Sequence, residues 1–264
     1  MKYMGSKSRV SKHIVPILQK AIDDNEITTY IEPFSGGMNI IDKIDCDKKI
    51  GSDVNKYLIE MFKHLQSGGS LYDGVPKELY VKARTDFNNN TNIFKDWELG
   101  NIGFLASYNG RFFDGGYAKP GWEKTRYRDY YQESKNNILK QIDNLKDVKF
   151  QVNDYKSFSK IVGAVIYCDP PYENTKSYKN STNFNHEEFW DFMRELSKEN
   201  IVFISELKAP DDFESIWEKE VSRSIKVSGK SKAQEKLFVY NQQGLTITRR
   251  ENVKRNIIGR NINI

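Results

Sequence analysis

Cysteine is nearly missing from this chain: Cys46 and Cys168 are the two in 264 residues. Two thiols so far apart in sequence build neither a disulfide framework nor a zinc cluster. Histidine is almost as sparse. His13, His64 and His186 show no metal-ligand spacing, and each is expected at the surface. No stretch approaches the roughly eighteen uninterrupted apolar residues of a membrane span, and the first residues are polar and basic, unlike a secretory signal. Internal repeats, low-complexity tracts and Pro- or Ser-rich linkers are absent too. These absences lead to the expectation of a soluble, intracellular, metal-free protein.

What is present is enough apolar material for a core, with 38% hydrophobic and 13% aromatic residues. Wholesale disorder is thereby excluded. The length fits one large domain, or one domain carrying a smaller insert. A formal net charge of +5 and a pI near 8.9 lean toward polyanionic partners, without identifying one.

Short apolar runs that end in an acid recur along the chain. A helix with Val10, Ile14, Ile17, Leu18, Ala21 and Ile22 on one face follows Tyr3, Gly5, Ser6 and Lys7. Thr28–Ile31 reads as a strand, followed by Glu32-Pro33-Phe34-Ser35-Gly36-Gly37, with Ile40, Ile41 and Ile44 predicted to begin a helix. Strand, glycine turn and helix make a Rossmann-like crossover, in which glycines let the backbone approach a ligand closely. A strand ending at Asp53 comes about twenty residues later, where a ribose-binding acid is usual. Asn55–Leu65 reads as the helix behind it. A helix over 130–145, a strand over 148–152 ending in Asn153-Asp154-Tyr155, a helix over 185–198 and a strand over 201–205 continue the alternation. The pattern predicts an α/β fold with a mostly parallel sheet covered on both faces. Val221–Tyr240 alternates like an antiparallel hairpin with a charged tip at 230–236. The tail beyond it carries Arg249, Arg250, Lys254, Arg255 and Arg260.

Residues 71–131 break this rhythm. Helices are predicted over 77–87 and 96–106, with no buried parallel strand after either. Asn109-Gly110-Arg111-Phe112-Phe113-Asp114-Gly115-Gly116-Tyr117 follows, with Lys119, Lys124, Arg126 and Arg128 close behind. Asn-Gly and Gly-Gly are turn signals, and aromatics interleaved with basic residues suit stacking on bases and contact with phosphates. The stretch from Asn109 to Tyr117 is therefore expected to form a hairpin that enters a groove of a nucleic-acid partner. Arg111 would lie nearest the bases, Lys119, Lys124, Arg126 and Arg128 on phosphates.

The most informative stretch is Asp169-Pro170-Pro171-Tyr172, at the end of the apolar run 163–167. Two prolines lack backbone N–H groups and fix φ, so the chain leaves the sheet in a rigid turn. An Asp carboxylate and a bare Pro carbonyl accept both hydrogens of one planar amine, while a tyrosine ring stacks on the heterocycle bearing it. Such a cradle fits a flipped nucleobase. A nicotinamide oxidoreductase would share the glycine loop and Asp53 but gives no reason for this tetrapeptide. A methyltransferase acting on RNA amines or protein glutamine would use a similar one.

In this order, Lys2-Tyr3-Met4-Gly5-Ser6-Lys7, Glu32 to Gly37, Asp53, Asp154 and the tetrapeptide resemble the Dam-like, D12-class adenine-specific DNA methyltransferases of the alpha group. The likeness extends to Tyr172-Glu173-Asn174-Thr175. One departure stands out: Met38 falls where the usual Phe-x-Gly-x-Gly has its second glycine. The resemblance implies a Rossmann-like S-adenosylmethionine-dependent sheet formed by 1–70 and 132–264, with a mostly helical target-recognition insert at 71–131. It implies S-adenosyl-L-methionine as methyl donor and double-stranded DNA as partner, with the protein acting as a monomer, without metal or membrane. Tyr3 and Lys7 would line the cofactor cleft, and Glu32, Pro33, Phe34, Ser35, Gly36 and Gly37 would cradle the methionine moiety. Asp53 would take the ribose and Asp154, beside Tyr155, the adenosyl amine; Asp169 would border the same cofactor. Asp169, Pro170, Pro171 and Tyr172 would form the catalytic turn, and Asn109, Arg111 and Phe112 would join the basic residues on DNA.

Overall fold

The computed structural model describes residues 1–173, 184–222 and 232–241. Asn174, Thr175, Lys230 and the basic tail residues from Arg249 to Arg260 lie outside these. In chain order the elements are α1 (Ser11–Asp24), β1 (Thr29–Glu32), β2 (Lys48–Asp53), α2 (Lys56–Gln66), α3 (Lys77–Asn89), α4 (Asp96–Gly100), β3 (Gly121–Glu123) and β4 (Arg126–Arg128). They continue with α5 (Tyr130–Ile142), β5 (Val148–Val152), β6 (Val165–Cys168), α6 (His186–Leu196), β7 (Ile201–Glu206), β8 (Phe213–Ser222) and β9 (Lys232–Tyr240). Seven strands make one mixed, mostly parallel sheet in the order β5-β2-β1-β6-β7-β9-β8, and β3 and β4 form a separate antiparallel pair. The expected α/β class is the one found.

The chain divides into two compact units. One comprises residues 1–11, 35–43 and 50–154; the other comprises 12–34, 44–49 and 155–264. In the second, β6 is buried along its whole length and pairs in parallel with β1 and β7. An apolar run without alternation is what a strand covered on both faces requires. The hairpin of β8 and β9 is antiparallel and joins β7 through β9, with Ser205 opposite Leu237. It begins eight residues before the predicted Val221, because Phe213 packs its ring 4.7 Å from Trp190 of α6 and supplies an earlier apolar anchor.

In the first unit, two expectations are corrected. The helix predicted from Ile40 is one 3-10 turn, Ile41–Lys43. The glycine loop uses up most of the chain between β1 and β2, yet Ile40, Ile41 and Ile44 are buried all the same. The helix predicted over 96–106 stops at Gly100 and continues as a π-helical turn, Asn101–Leu105. Two close approaches accompany the change. A Cβ at Gly100 would lie 2.1 Å from the Tyr57 carbonyl oxygen, and one at Gly103 would lie 2.4 Å from the Phe112 ring.

Gly100 thus marks where α4 meets α2 backbone to side-chain-free backbone. Gly100→Ala should destabilise the fold by ~1–3 kcal/mol through overpacking. A urea unfolding curve would show this as a lower midpoint at unchanged slope. An unshifted midpoint would mean that the two helices separate without cost.

Candidate active-site residues

In the first unit, the glycine turn is drawn toward the end of β2. Ser35 N–H and its hydroxyl both donate to the Ser52 carbonyl, each at 2.8 Å. The Asp53 carboxylate accepts Gly36 N–H at 3.1 Å and Asn55 N–H at 2.9 Å. Burial pushes the Asp53 carboxyl up to about 6 against the pull of those two N–H groups. Each of its oxygens keeps a second lone pair for a further donor. The Tyr3 ring covers the turn so closely that a Cβ at Gly36 would lie 2.9 Å from it, and one at Gly37 2.8 Å from the Tyr3 Cβ. Lys7 is buried beside the entry to the first helix, Asp154 is exposed after β5, and Met38 takes a left-handed φ of 57°. A methionine thus holds backbone that a glycine would hold without strain.

In the second unit, Glu32 at the end of β1 is buried and accepts the Tyr30 hydroxyl at 2.7 Å. Pro33 is buried behind it. Phe34 stacks on Tyr155 with centroids 5.4 Å apart and meets Phe184 and Phe189 edge-on. The Asp169 turn emerges from β6 with Pro170 buried and Asp169, Pro171 and Tyr172 half-buried. Tyr172 donates its hydroxyl to Glu235 of β9 at 2.7 Å. The next backbone N–H, of Glu173, donates to Glu206 at 2.8 Å, and Leu207 N–H donates to the other oxygen of the same carboxylate. Burial, followed by the charges of Asp169 and Glu235, holds the Tyr172 phenol well above its ordinary value.

Two of these residues, Glu206 and Glu235, belong to none of the quoted motifs. Glu206 does carry a signal, since it ends an apolar strand in an acid as Asp53, Asp154 and Asp169 do. Glu235 has none: it is one charge among several in a charged run.

The DNA-facing expectation changes shape. Residues 109–117 form no hairpin. Tyr108–Gly110 is a 3-10 turn, and Ser107 bridges Tyr117 across the loop. Phe112 is only 5% exposed, packed 4.7 Å from Phe104 and 4.9 Å from Phe87, so its apolar ring is a core plug rather than a surface for bases. Arg111 is half-buried, with its Nε enclosed and lacking a hydrogen-bond partner. The hairpin is β3 and β4 instead, where Trp122 is 76% exposed opposite Tyr127 at 55%. Lys124 and Arg126 lie exposed on it, as do Lys119 just before it and Asn109 in the preceding turn. The histidines are half-buried rather than at the surface; His64 stacks on Trp97 at 3.8 Å. Among the described residues no cluster of three or more His, Cys, Asp or Glu stands ready for a metal, and no helix is long and apolar enough to cross a membrane.

A strand-end acid beside a glycine turn and an Asp-Pro-Pro-Tyr exit from a buried parallel strand are features of a mostly parallel, Rossmann-like sheet that binds at its strand ends. Residues 3–208 match the family model of the D12 class N6 adenine-specific DNA methyltransferases, and the chain belongs to that family. It is 26% identical over 230 residues to the Type II methyltransferase M.MjaIII of Methanocaldococcus jannaschii, a match covering 75% of this chain and 80% of that protein. It is 23% identical over 231 residues to the modification methylase StsI of Streptococcus sanguinis, covering 77% of this chain but only 34% of that longer protein. Among solved structures it is similar to the rRNA methyltransferase AviRa of Streptomyces viridochromogenes, at 9% identity and a TM-score of 0.42 over 89% of this chain and 84% of that one. Site-specific methylation of adenine in DNA is the activity that family membership gives this chain.

One predicted phosphate ligand is already engaged. Arg128 forks onto Glu133 through Nε at 2.9 Å and Nη2 at 2.6 Å, and reaches Glu123 through Nη1 at 2.7 Å. Lys2 adds a third donor to Glu133 at 3.0 Å. The Arg128 guanidinium, with Lys2 behind it, holds the Glu133 carboxyl down to about 2 from an ordinary 4.5. A carboxyl held low in the folded state favours folding above about pH 4.5, and that contribution drains away as pH falls toward 2. Glu133→Gln should therefore cost ~1–2 kcal/mol at neutral pH and flatten the acid limb of the stability curve between pH 4.5 and 2. Chemical unfolding at a series of pH values reads both effects; parallel curves for the two proteins would rule the role out.

Proposed function

We propose that Asp169, the Pro170 carbonyl and Tyr172 receive a flipped adenine, and that S-adenosylmethionine is held by the residues grouped around the glycine turn. The observation that carries this reading is the tethered turn at the end of β6, where the tyrosine hydroxyl and the following N–H are both fixed by carboxylates. A rigid acceptor pair beside a rigid ring is what an exocyclic amine needs.

The residues of the glycine turn fit the donor. Tyr3 packs so closely on Gly36 and Gly37 that neither has room for a side chain, and Asp53 keeps lone pairs for ribose hydroxyls. The family resemblance assigns the cofactor Tyr3, Lys7, Ser35 and Asp154 of the first unit as well, and, separately, Glu32, Pro33, Phe34 and Tyr155 of the second. When bound, the cofactor supplies an electrophilic methyl group. Asp169 accepts one N6 hydrogen and the Pro170 carbonyl the other, which favours a pyramidal nitrogen whose lone pair is free to form the new N–C bond. As that bond formed, the sulfur–methyl bond would break with its electron pair left on sulfur. The nitrogen, then cationic, would give one proton to Asp169, and a methylated aromatic ammonium is acidic enough that Asp169 need not be a strong base. Orientation of this kind supplies up to ~7–11 kcal/mol of barrier lowering.

Residues 71–131 serve as the target-recognition segment in this reading, with 1–70 and 132–264 as the catalytic part, and the protein acts as a monomer on double-stranded DNA. The hairpin of β3 and β4 is its exposed aromatic and basic element. Lys119, Lys124 and Arg126 meet phosphates, whereas Arg128 braces the hairpin through Glu133 and Glu123. The Type II methyltransferase and modification methylase relatives support a place in a restriction-modification system.

Labelled S-adenosylmethionine and duplex DNA should give N6-methyladenine, and Asp169→Ala should lower turnover at least about a hundredfold, the scale of losing a preorganised hydrogen bond to the reacting group. Retention of more than about a tenth of wild-type turnover would remove Asp169 from the reaction. For the hairpin, Lys124→Ala with Arg126→Ala should weaken binding to all DNA sequences alike and reduce the salt slope by about two. An unchanged slope would send the phosphate contacts elsewhere.

A further inference from the structure

Base stacking uses only the ring of a tyrosine, so the Tyr172 hydroxyl calls for its own explanation. Two prolines fix φ at the preceding positions, which leaves the ring and the chain after it to be set by other contacts. Neighbouring strands supply those contacts. Glu206, the buried last residue of β7, accepts Glu173 N–H at 2.8 Å and so fixes the backbone just past the ring. Glu235, half-buried in β9, accepts the ring hydroxyl at 2.7 Å and fixes its far end. The register of the hairpin brings Glu235 to this place: β9 pairs with β7 so that Glu206 faces Lys236, one residue along from Glu235. Across β8, Glu235 stands opposite Lys219, whose ammonium lies 2.6 Å from His13 Nε2.

We propose that Glu235 is a positioning residue for methyl transfer, holding the Tyr172 ring in the plane on which the target adenine stacks. The inference rests on the assignment of Tyr172 to the base made above. A phenol anchored at both ends need not be ordered when the base arrives, and ordering a free side chain at that moment would lower the rate. The raised phenol pKa, due first to burial and then to Asp169 and Glu235, keeps Tyr172 a donor throughout the working range. The antiparallel hairpin is then part of the machinery rather than only an edge to the sheet.

The test is steady-state methyl transfer to adenine in duplex DNA by wild type, Glu235→Ala, Glu235→Gln, Tyr172→Phe and the Tyr172→Phe/Glu235→Ala pair, with cofactor affinity measured for each. Glu235→Ala should lower kcat about tenfold or more, as loss of a charge-assisted hydrogen bond does, while S-adenosylmethionine affinity stays at the wild-type value. Glu235→Gln, whose amide oxygen still accepts, should recover most of the rate. Tyr172→Phe should match Glu235→Ala, and the pair should be no slower than either alone, because both remove one interaction. Wild-type kcat in Glu235→Ala, multiplying losses in the pair, or a parallel fall in cofactor affinity would each overturn the inference while leaving the activity intact. Failure of the wild-type protein to label adenine at all would instead overturn the function assigned to the turn, and this inference with it.

Discussion

A carboxylate removed from water must find donors or give up its charge, and that constraint organises this molecule. Asp53 is met by two backbone N–H groups of its own turn and helix cap, Glu32 by the Tyr30 hydroxyl, and Glu206 by the N–H groups of Glu173 and Leu207. Each acid ends a strand; for Asp53 and Glu206 the donors belong to adjoining loops, while for Glu32 the donor is a neighbour in β1 itself. Asp53 and Glu206 therefore act as fixed posts to which the sheet fastens its loops. Asp86 applies the same device within α3 and the loop after it: buried, it accepts Ile93 N–H, Phe94 N–H and the Thr91 hydroxyl, and those donors outweigh burial to keep its carboxyl low.

What could be read from the chain alone follows from the same physics. Runs such as Val165–Cys168 and Ile201–Glu206 are legible because a strand covered on both faces leaves no polar alternation to confuse the pattern. The acids after them are legible because a buried strand has no other use for a carboxylate. Glu235 is not legible: its partner lies 63 residues away in sequence, and hairpin register, invisible in composition, brings the two together. No α-helix follows the glycine turn because the chain there is too short for one, and Ile40, Ile41 and Ile44, spaced like a helical face, fill the core without one.

The segment 107–128 shows how turn signals mislead when aromatics compete for burial. Asn-Gly and Gly-Gly do mark turns, and Asn109 takes a left-handed φ of 57°. Phe112 and Phe113, however, sink into a cluster with Tyr57, Phe87 and Phe104, and burying two phenylalanines outweighs whatever a projecting hairpin offers. The true hairpin forms one step later, where Trp122 and Tyr127 pair across β3 and β4 and the Arg128–Glu133 fork closes its base.

Met38 ties two parts of the sequence together in space. Its sulfur lies where a Cβ at Gly51 would be 3.2 Å away, and its backbone holds the left-handed bend. A glycine at 38 would relieve the bend but empty the space beside β2; a methyl group at 51 would press on the methionine sulfur, which would have to give by a few tenths of an ångström. Side-chain volume at 38 and at 51 is thus drawn from one space beside β2, so that removing the methionine there would leave room for a larger residue at 51.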